Sequence, residues 1–325
     1  MTGGDFGLTV RQALRERKIS MRAAARMLSY DHAFLSRVLS GKQLPSPQLV
    51  QALDNLLGAE GTLVELAAPL SDPDVVDRVE RVVAQPSRLD ARTVGALADV
   101  LAAQRRLDDA VGPTAVLPAT QAQASTVRSL LRSSGGPHRG ALADVVAEWV
   151  QFEGWLHASA RSDARALILL DEAVELADEA ESGTLVAQAL NFRGYVARQR
   201  EQPRAVTRWF SAAYHTPGAH PAQRMGDATQ AAHGYAELGH TDEARRMLDE
   251  AANLADAAAD QPPGTAYWLT PTFQRLSLGL AHLGLGEHAD AAEHLRAGLS
   301  GLPADQQRAE WTGEYRDALE VAEAA

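Results

Sequence analysis

The 325-residue sequence contains no cysteine, few aromatic residues and no long apolar run. Without cysteine, the chain has no disulfide, no thiol nucleophile and none of the common cysteine-based zinc sites. Aromatic residues make up only 5%, and no alternating run of β-branched residues is long enough to predict a strand. No apolar segment approaches the ~20 residues that cross a bilayer, and no signal peptide is visible. We therefore expect a cytoplasmic protein without a membrane segment.

The sequence also lacks the motifs of common catalytic and metal sites. Its 10 histidines form neither a His-Glu-x-x-His motif nor a pair four residues apart, and no Gly-x-Ser-x-Gly or phosphate-binding Gly-rich loop occurs. Asp108 and Asp109 form a single acidic pair, which is typical of a solvated helix end. We therefore expect neither an enzyme nor a bound cofactor or metal.

What the chain does contain is helix-forming sequence almost throughout. Ala, Leu, Arg and Glu dominate, and apolar residues recur with helical spacing, so we predict an all-α fold. Clusters of Gly and Pro separate the helices. The predicted regions are a DNA-binding domain at 1–58, an acidic connector with a short helix at 59–90, linking or capping helices at 91–144, and helical repeats with a C-terminal capping helix at 145–325.

Charge is divided unevenly between these regions. The chain as a whole has a net charge of −11. Residues 1–58 nevertheless carry eight Lys and Arg against four Asp and Glu, which leaves −15 for the remainder. A basic head on an acidic body suits a head that contacts phosphate, although a solvated basic face would look the same.

Residues 1–58 carry the capping signals of four short helices. Thr9 and Gln12 have the spacing of a capping box, Ser20 and Asp31 can each cap a helix, and Ser46-Pro47 can open another. A tight connection between the second and third helices predicts a sharp crossing. The predicted helices run from Thr9 to about Arg17, Met21 to about Leu28, His32 to Ser40, and Pro47 to about Leu57.

The segment 19–42 resembles the helix-turn-helix of the XRE family, the lambda-repressor-like domains. Its sequence is Ile-Ser-Met-Arg-Ala-Ala-Ala-Arg-Met-Leu-Ser-Tyr-Asp-His-Ala-Phe-Leu-Ser-Arg-Val-Leu-Ser-Gly-Lys. Ala25 stands where the two helices of the motif cross, and Leu35 and Val38 stand at its buried positions. The resemblance implies double-stranded DNA as a partner, with the second helix in the major groove. It implies base contacts from His32, Ala33, Phe34 and Arg37, and phosphate contacts from Ser20, Arg22, Ser36, Lys42 and Gln43.

Two of these residues have an alternative role. Phe34 can contact a thymine methyl or pack against Val38 one turn later. Arg37 can bind guanine or pair with an acid such as Asp31. Met21 stands where the family often has Gln and cannot form the hydrogen bonds of that amide, so the target sequence does not follow from the resemblance.

From about residue 145 the sequence repeats, and each repeat has the length of one helical hairpin. The repeats resemble tetratricopeptide repeats. Four second helices share a pattern of small, large and small residues, which close helix packing requires. The aligned positions are Ala166, Leu170 and Ala173; Ala205, Trp209 and Ala212; Ala244, Leu248 and Ala251; and Ala291, Leu295 and Gly298. The first helices place Gly154, Arg193, Ala232 and Gly279 at a common position.

Stacked hairpins of this kind line a concave surface with their first helices. A peptide effector would fit such a polar groove, and the architecture resembles the peptide-responsive RRNPP regulators. We therefore predict a sequence-specific transcriptional regulator acting as a homodimer, because one short helix reads few bases. The alternative is an adaptor that holds a protein partner and binds DNA weakly. The residues predicted at the groove are Gln151, Trp155, Asn191, Arg198, His233 and Glu237.

Overall fold

The computed structural model describes residues 3–28, 30–39, 47–59, 63, 73–259, 262–304 and 306–325. Over these residues the regular structure is helical, without a strand, which confirms the all-α class. The chain divides into two compact units, Met1–Ala103 and Gln104–Ala325. Within the described residues, no helix combines the length and apolar character that a membrane crossing needs.

Among its described residues, the first unit contains five helices and the beginning of a sixth. The bounds are α1 Gly3–Glu16, α2 Met21–Met27, α3 His32–Leu39, α4 Pro47–Leu57, α5 Pro73–Ala84 and α6 Ala91–Val111, with a 3₁₀ turn at Pro86–Arg88 between the last two. The helix α5 matches the short helix expected in the acidic connector. The helix α6 continues into the second unit.

The core of the first unit is built from the apolar faces of α1 to α4. Leu35 and Val38 of α3 are completely buried, as their positions in the motif predict. They pack with a cluster of apolar residues from the other three helices. Burial of such side chains stabilises a fold by roughly 1.5–3 kcal/mol each. The cluster includes Val10, Leu14, Ala24, Ala25, Leu49 and Leu53.

Local caps fix the start of the two central helices, as the sequence predicts. The Ser20 hydroxyl accepts a hydrogen bond from the Ala23 amide at 3.2 Å and opens α2. The Asp31 carboxylate accepts one from the Phe34 amide at 2.9 Å and opens α3. Such caps are worth about 1 kcal/mol each. The predicted end of the third helix at Ser40 and the predicted cap at Ser46 lie outside the described residues.

The predicted start of the first helix is wrong. The helix begins at Gly3 rather than at Thr9, so Thr9 lies inside it and does not cap it. The reason is a tertiary contact, because α1 crosses α3 closely at Gly7. A Cβ atom on Gly7 would lie 2.0 Å from the Leu39 carbonyl oxygen, so only glycine permits this approach.

The second unit is a series of antiparallel helical hairpins. After the end of α6, the helix α7 packs against the first hairpin, and α17 packs against the last. The bounds are α7 Pro113–Ser133, α8 Arg139–Ser159, α9 Asp163–Glu179, α10 Gly183–Gln199, α11 Pro203–Tyr214, α12 Pro221–Glu237, α13 Thr241–Asn253, α14 Ala255–Ala258, α15 Pro271–Gly284, α16 His288–Gly301 and α17 Gly313–Ala324. The four hairpins are α8–α9, α10–α11, α12–α13 and α15–α16, and the predicted second helices are α9, α11, α13 and α16.

In three of the hairpins, the two helices contact each other at residues that the repeat pattern aligns. A Cβ atom on Gly154 would lie 3.0 Å from Cδ2 of Leu170, and one on Gly279 would lie 2.5 Å from Cγ of Leu295. The first and fourth hairpins therefore each place a leucine directly on a glycine. In the second hairpin, Arg193 replaces the glycine and its guanidinium lies 3.8 Å from the centre of the Trp209 ring. This cation–π contact explains how the second repeat tolerates a large residue there.

Candidate nucleic-acid interface and ligand cavity

The surface of α3 opposite the core carries two of the four predicted base-reading residues. Burial of Leu35 and Val38 fixes the rotation of the helix about its axis. That rotation leaves the His32 and Arg37 side chains exposed, while Ser36 is half-buried. An exposed arginine on a short helix of this kind has the geometry to reach guanine O6 and N7 in a major groove.

The neighbouring helix α2 carries the predicted phosphate-contacting residues. Ser20 and Arg22 are both exposed, so their side chains are accessible to a ligand. The Ser20 oxygen accepts the capping hydrogen bond from the backbone, and its hydroxyl hydrogen can still be donated. The two predicted phosphate contacts at Lys42 and Gln43 lie outside the described residues. Of the predicted base contacts, Ala33 is described only as part of α3.

Phe34 combines packing with partial exposure. Its ring stacks on Tyr30, with 5.7 Å between the ring centres and 12° between the planes. Both rings pack against the core of the first unit. A side chain held in this way has little freedom to move toward a base, so the observed contacts favour the packing role for Phe34.

A large cavity lies within the second unit. It encloses about 940 Å³ of empty space when the open solvent at its mouth is included. The first helices of all four hairpins, α8, α10, α12 and α15, contribute to its wall. The remainder of the lining comes from the end of α6, from Phe210 of α11, from the segment 265–269 before α15, and from 306–315 around the start of α17.

Aromatic side chains are concentrated around this cavity. The sequence has only 5 Trp, 6 Tyr and 6 Phe, and ten of these line it. The ring centre of Trp155 lies 5.1 Å from that of Phe192 and 5.1 Å from that of Tyr195. The ring of Trp268 stacks on Phe192 at 5.6 Å. These are attractive offset and tilted geometries, so the rings form a continuous wall.

Four of the six predicted groove residues lie together in the lining. Gln151, Trp155, Asn191 and Arg198 are on α8 and α10 and border the cavity. His233 and Glu237 lie beyond the lining, near the end of α12. Nδ1 of His233 is 3.1 Å from the Leu280 carbonyl oxygen, and Glu237 is exposed. Burial, together with the nearby charge of Arg198, lowers the pKa of His233 to about 4, so this imidazole is neutral at pH 7.

Arg198 is already bound by carboxylate oxygens of the same chain. Its Nε and Nη2 atoms donate to the two oxygens of Glu314, at 2.9 and 2.6 Å. It also donates to Gln230 and, at 3.4 Å, to the Tyr315 hydroxyl. The Arg198 side chain is only 9% exposed. The α17 carboxylate therefore occupies the position on Arg198 at which a carboxylate ligand would bind.

A buried carboxyl group lies beside this wall. Asp227 of α12 is fully buried and accepts hydrogen bonds from Asn191 at 2.6 Å and from Gln223 at 3.0 Å. Burial raises the pKa of Asp227 to about 8, although the two amide donors oppose the rise. Asp227 is therefore mainly protonated at pH 7 and connects α10 to α12.

The acidic pair at the end of α6 contributes to the cavity, in contrast to its expected role as a solvated helix end. The carboxylate of Asp108 accepts a hydrogen bond from the Trp155 indole at 2.9 Å. That of Asp109 accepts one from the Tyr267 hydroxyl at 2.6 Å. Burial raises the pKa of Asp108 to about 6, and the nearby carboxylates of Asp109 and Glu310 add to the rise. Asp108 is thus negatively charged at pH 7.

The sequence did not predict the aromatic residues that line the cavity from outside the repeats. Tyr267, Trp268 and Trp311 lie in segments outside the aligned repeats, so the repeat pattern gives them no position. The signal available in the sequence was composition. In a chain with so few aromatic residues, the Tyr-Trp pair at 267–268 stands out within a polar, Gly- and Pro-containing segment.

A group of potential metal ligands also appears at the last hairpin. One ligand atom each from His282, Glu287 and Asp290 lies within 4.8 Å of the others. Glu287, however, is hydrogen bonded with His282 at 2.6 Å and forms an ion pair with Arg245 at 2.6 Å. The bond with His282 and the charge of Arg245 lower the pKa of Glu287. The arginine already supplies the positive charge that a metal ion would bring.

Comparison with known families identifies the N-terminal segment. Residues 5–67 match the family described as a helix-turn-helix domain. The match covers the four helices α1 to α4 and agrees with the motif at 19–42. This segment of the chain is therefore a helix-turn-helix domain.

Comparisons with whole chains add a distant likeness. No curated protein matches. The chain is similar to a crystal structure of Bacillus thuringiensis PlcR in complex with the peptide PapR7 and DNA, at 12% identity, covering 99% of this chain and 98% of that chain, with a TM-score of 0.34. A likeness of this size assigns neither a ligand nor a helix arrangement to the present protein.

Proposed function

We propose that this protein is a sequence-specific DNA-binding transcriptional regulator whose helical-repeat unit contains an effector site. The single observation that carries the proposal is the helix-turn-helix domain, in which α3 buries Leu35 and Val38 and exposes His32 and Arg37. A second helix with an apolar inner face and a polar outer face is the element that such domains place in the major groove.

The protein acts as a homodimer under this proposal. A single helix as short as α3 contacts too few base pairs for selective binding, and two copies on a palindromic site double the contacts. The excess of acidic residues in the second unit repels DNA phosphate, whereas residues 1–58 carry an excess of Lys and Arg that attracts it. Regulation of DNA inside the cell also implies the cytoplasmic location that the sequence predicts.

The effector site under this proposal is the cavity of the second unit. Its lining combines an extensive aromatic wall with a few directed polar groups, which is the usual composition of a small-molecule site. The architecture resembles the RRNPP regulators, in which a peptide is the ligand. Both arginines of the lining, Arg105 and Arg198, are already paired with Glu148 and Glu314, which argues against capture of a peptide carboxylate.

Selection of random DNA duplexes by the purified protein tests the function. We expect enrichment of a sequence with two-fold symmetry. Arg37→Ala should then weaken binding to the selected site by about 1–3 kcal/mol and relax the preference at one base pair. Arg132→Ala, which removes an exposed arginine from α7 of the second unit, is the matched control and should leave binding unchanged.

Other outcomes of the selection are equally informative. An equal loss of affinity on every duplex would show that Arg37 contacts only phosphate. Lys42→Ala should weaken all sites alike and reduce the salt dependence by about one ion. The absence of any enriched sequence, together with a protein that co-purifies in fixed ratio, would support the adaptor function instead.

A further inference from the structure

The walls of the cavity suit a flat aromatic ligand. Trp155, Phe192 and Trp268 form a connected group of rings with centres 5.1 and 5.6 Å apart. The planes of Phe192 and Trp268 are inclined by only 29°, so these two rings stack on each other. Aromatic ligands stack on such surfaces with offset geometry and gain both area burial and electrostatic attraction.

The charges of the lining favour a positively charged ligand over a negative one. The two arginines are neutralised, because Arg105 lies 3.1 Å from Glu148 and Arg198 lies 2.6 Å from Glu314. The Asp108 carboxylate, in contrast, receives a hydrogen bond from an uncharged indole. It stands in the last turn of α6, where the helix dipole is also negative, so an acidic side chain is unfavourable there unless a cation is nearby.

One polar side chain of the lining has an oxygen without a hydrogen-bond donor. Gln151 is 2% exposed, and its Oε1 atom is buried without a hydrogen-bond partner. A buried acceptor left unpaired is destabilising, because it has lost its hydrogen bonds to water. Gln151 borders the same cavity as Asp108, so a ligand with N–H groups would satisfy both acceptors.

We propose that the cavity binds a flat aromatic organic cation, with its rings on the wall of Trp155, Phe192 and Trp268, an amino group toward Asp108, and a further N–H toward Gln151. This inference rests on the proposed function, since it names the chemical class of the effector. The cation is bound by stacking, by cation–π attraction and by a charge-assisted hydrogen bond. No bond is made or broken.

Three tricyclic compounds of similar shape separate charge from shape in a binding experiment. Proflavine is a flat cation with two amino groups, acridine is the same ring system without them and is uncharged at mildly alkaline pH, and 9-anthracenecarboxylate is an anion. Each is titrated into the full-length protein, freed of nucleic acid and without DNA, at a pH above the pKa of Asp108. We expect proflavine to bind at least about tenfold more tightly than the anion, with acridine between them.

Variants of the cavity locate the amino group. Asp108→Asn keeps the acceptor for the Trp155 indole but removes the charge, so proflavine should lose about tenfold in affinity while acridine is unchanged. Gln151→Met removes the unpaired oxygen and should cost proflavine a further severalfold. Asp178→Asn, an exposed acidic residue of α9, is the control and should have no effect.

The outcomes distinguish this inference from the proposed function. Equal affinity for the three compounds, no binding of proflavine, or unchanged proflavine affinity in Asp108→Asn would each overturn the assignment of the ligand. A selected duplex in the same preparation would then leave the regulatory function standing. Binding of proflavine as expected, without any selected duplex, would support the cavity assignment and refute the regulatory function.

Discussion

Replacement of Asp227 by asparagine should change how stability depends on pH. In the folded protein the pKa of Asp227 is about 8, against an ordinary value of 3.8. The unfolded chain therefore releases this proton near pH 4, while the folded protein holds it until about pH 8. The stabilising contribution of the protonated group is complete at low pH and is lost as the pH rises through this window.

The size of the effect follows from linkage. Each pH unit between the two pKa values costs about 1.4 kcal/mol of unfolding free energy, so the loss from about pH 5 to about pH 8 is on the order of 4 kcal/mol. An asparagine at 227 does not titrate. Its oxygen can accept from Asn191, and its amide can donate to Oε1 of Gln223, which is buried without a partner.

Urea unfolding followed by circular dichroism, for parent and variant across this pH range, measures the difference. We expect the free energy of unfolding of the variant to rise steadily relative to that of the parent as the pH rises. At the upper end of the range the variant should be the more stable of the two. Asp178→Asn serves as the control because that carboxylate is exposed. Stability curves of parent and Asp227→Asn that run parallel would refute the assignment of a protonated Asp227.

Two further predictions concern packing in the second unit. Glu314→Ala leaves the guanidinium of Arg198 buried without its carboxylate and should lower the free energy of unfolding by about 2–3 kcal/mol. Glu320→Ala, on the exposed side of the same helix, should have little effect. Recovery of stability on adding Arg198→Met to Glu314→Ala would confirm the cause. Gly279→Ala places a Cβ 2.5 Å from a leucine of the next helix and should lower the free energy of unfolding by about 1–3 kcal/mol, measured by heat or urea. Gly140→Ala, with open space around it, should be neutral or slightly stabilising. Equal effects of the two substitutions would contradict the close helix approach.

The features that were predictable from sequence are those decided by neighbours along the chain. Ser20 and Asp31 cap helices through hydrogen bonds to amides three residues later, so their roles are readable locally. The buried positions Leu35 and Val38 follow from helical spacing. The true start of α1 was not predictable in this way, because it depends on the approach of Gly7 to a distant carbonyl.

In the candidate ligand site, too, the features set by local sequence were predictable and those set by distant contacts were not. Gln151, Trp155, Asn191 and Arg198 were expected at an inner face because the repeat places them on first helices. Their partners come from elsewhere in the chain. Glu314 reaches Arg198 across 116 positions, and Asp108 reaches Trp155 across 47, and neither pair leaves a periodic signal in the sequence. These long-range pairs determine the charge of the cavity lining, so that charge could not be predicted from the repeat pattern.

The placement of the indole rings has a practical consequence for studying the protein. Trp155, Trp268 and Trp311 border the cavity, whereas Trp149 is buried in the hairpin core and Trp209 lies beneath two guanidinium groups. Three of the five tryptophans thus surround one chamber. Intrinsic emission from the unlabelled protein should respond to whatever enters that chamber, so the molecule carries its own optical reporter of occupancy.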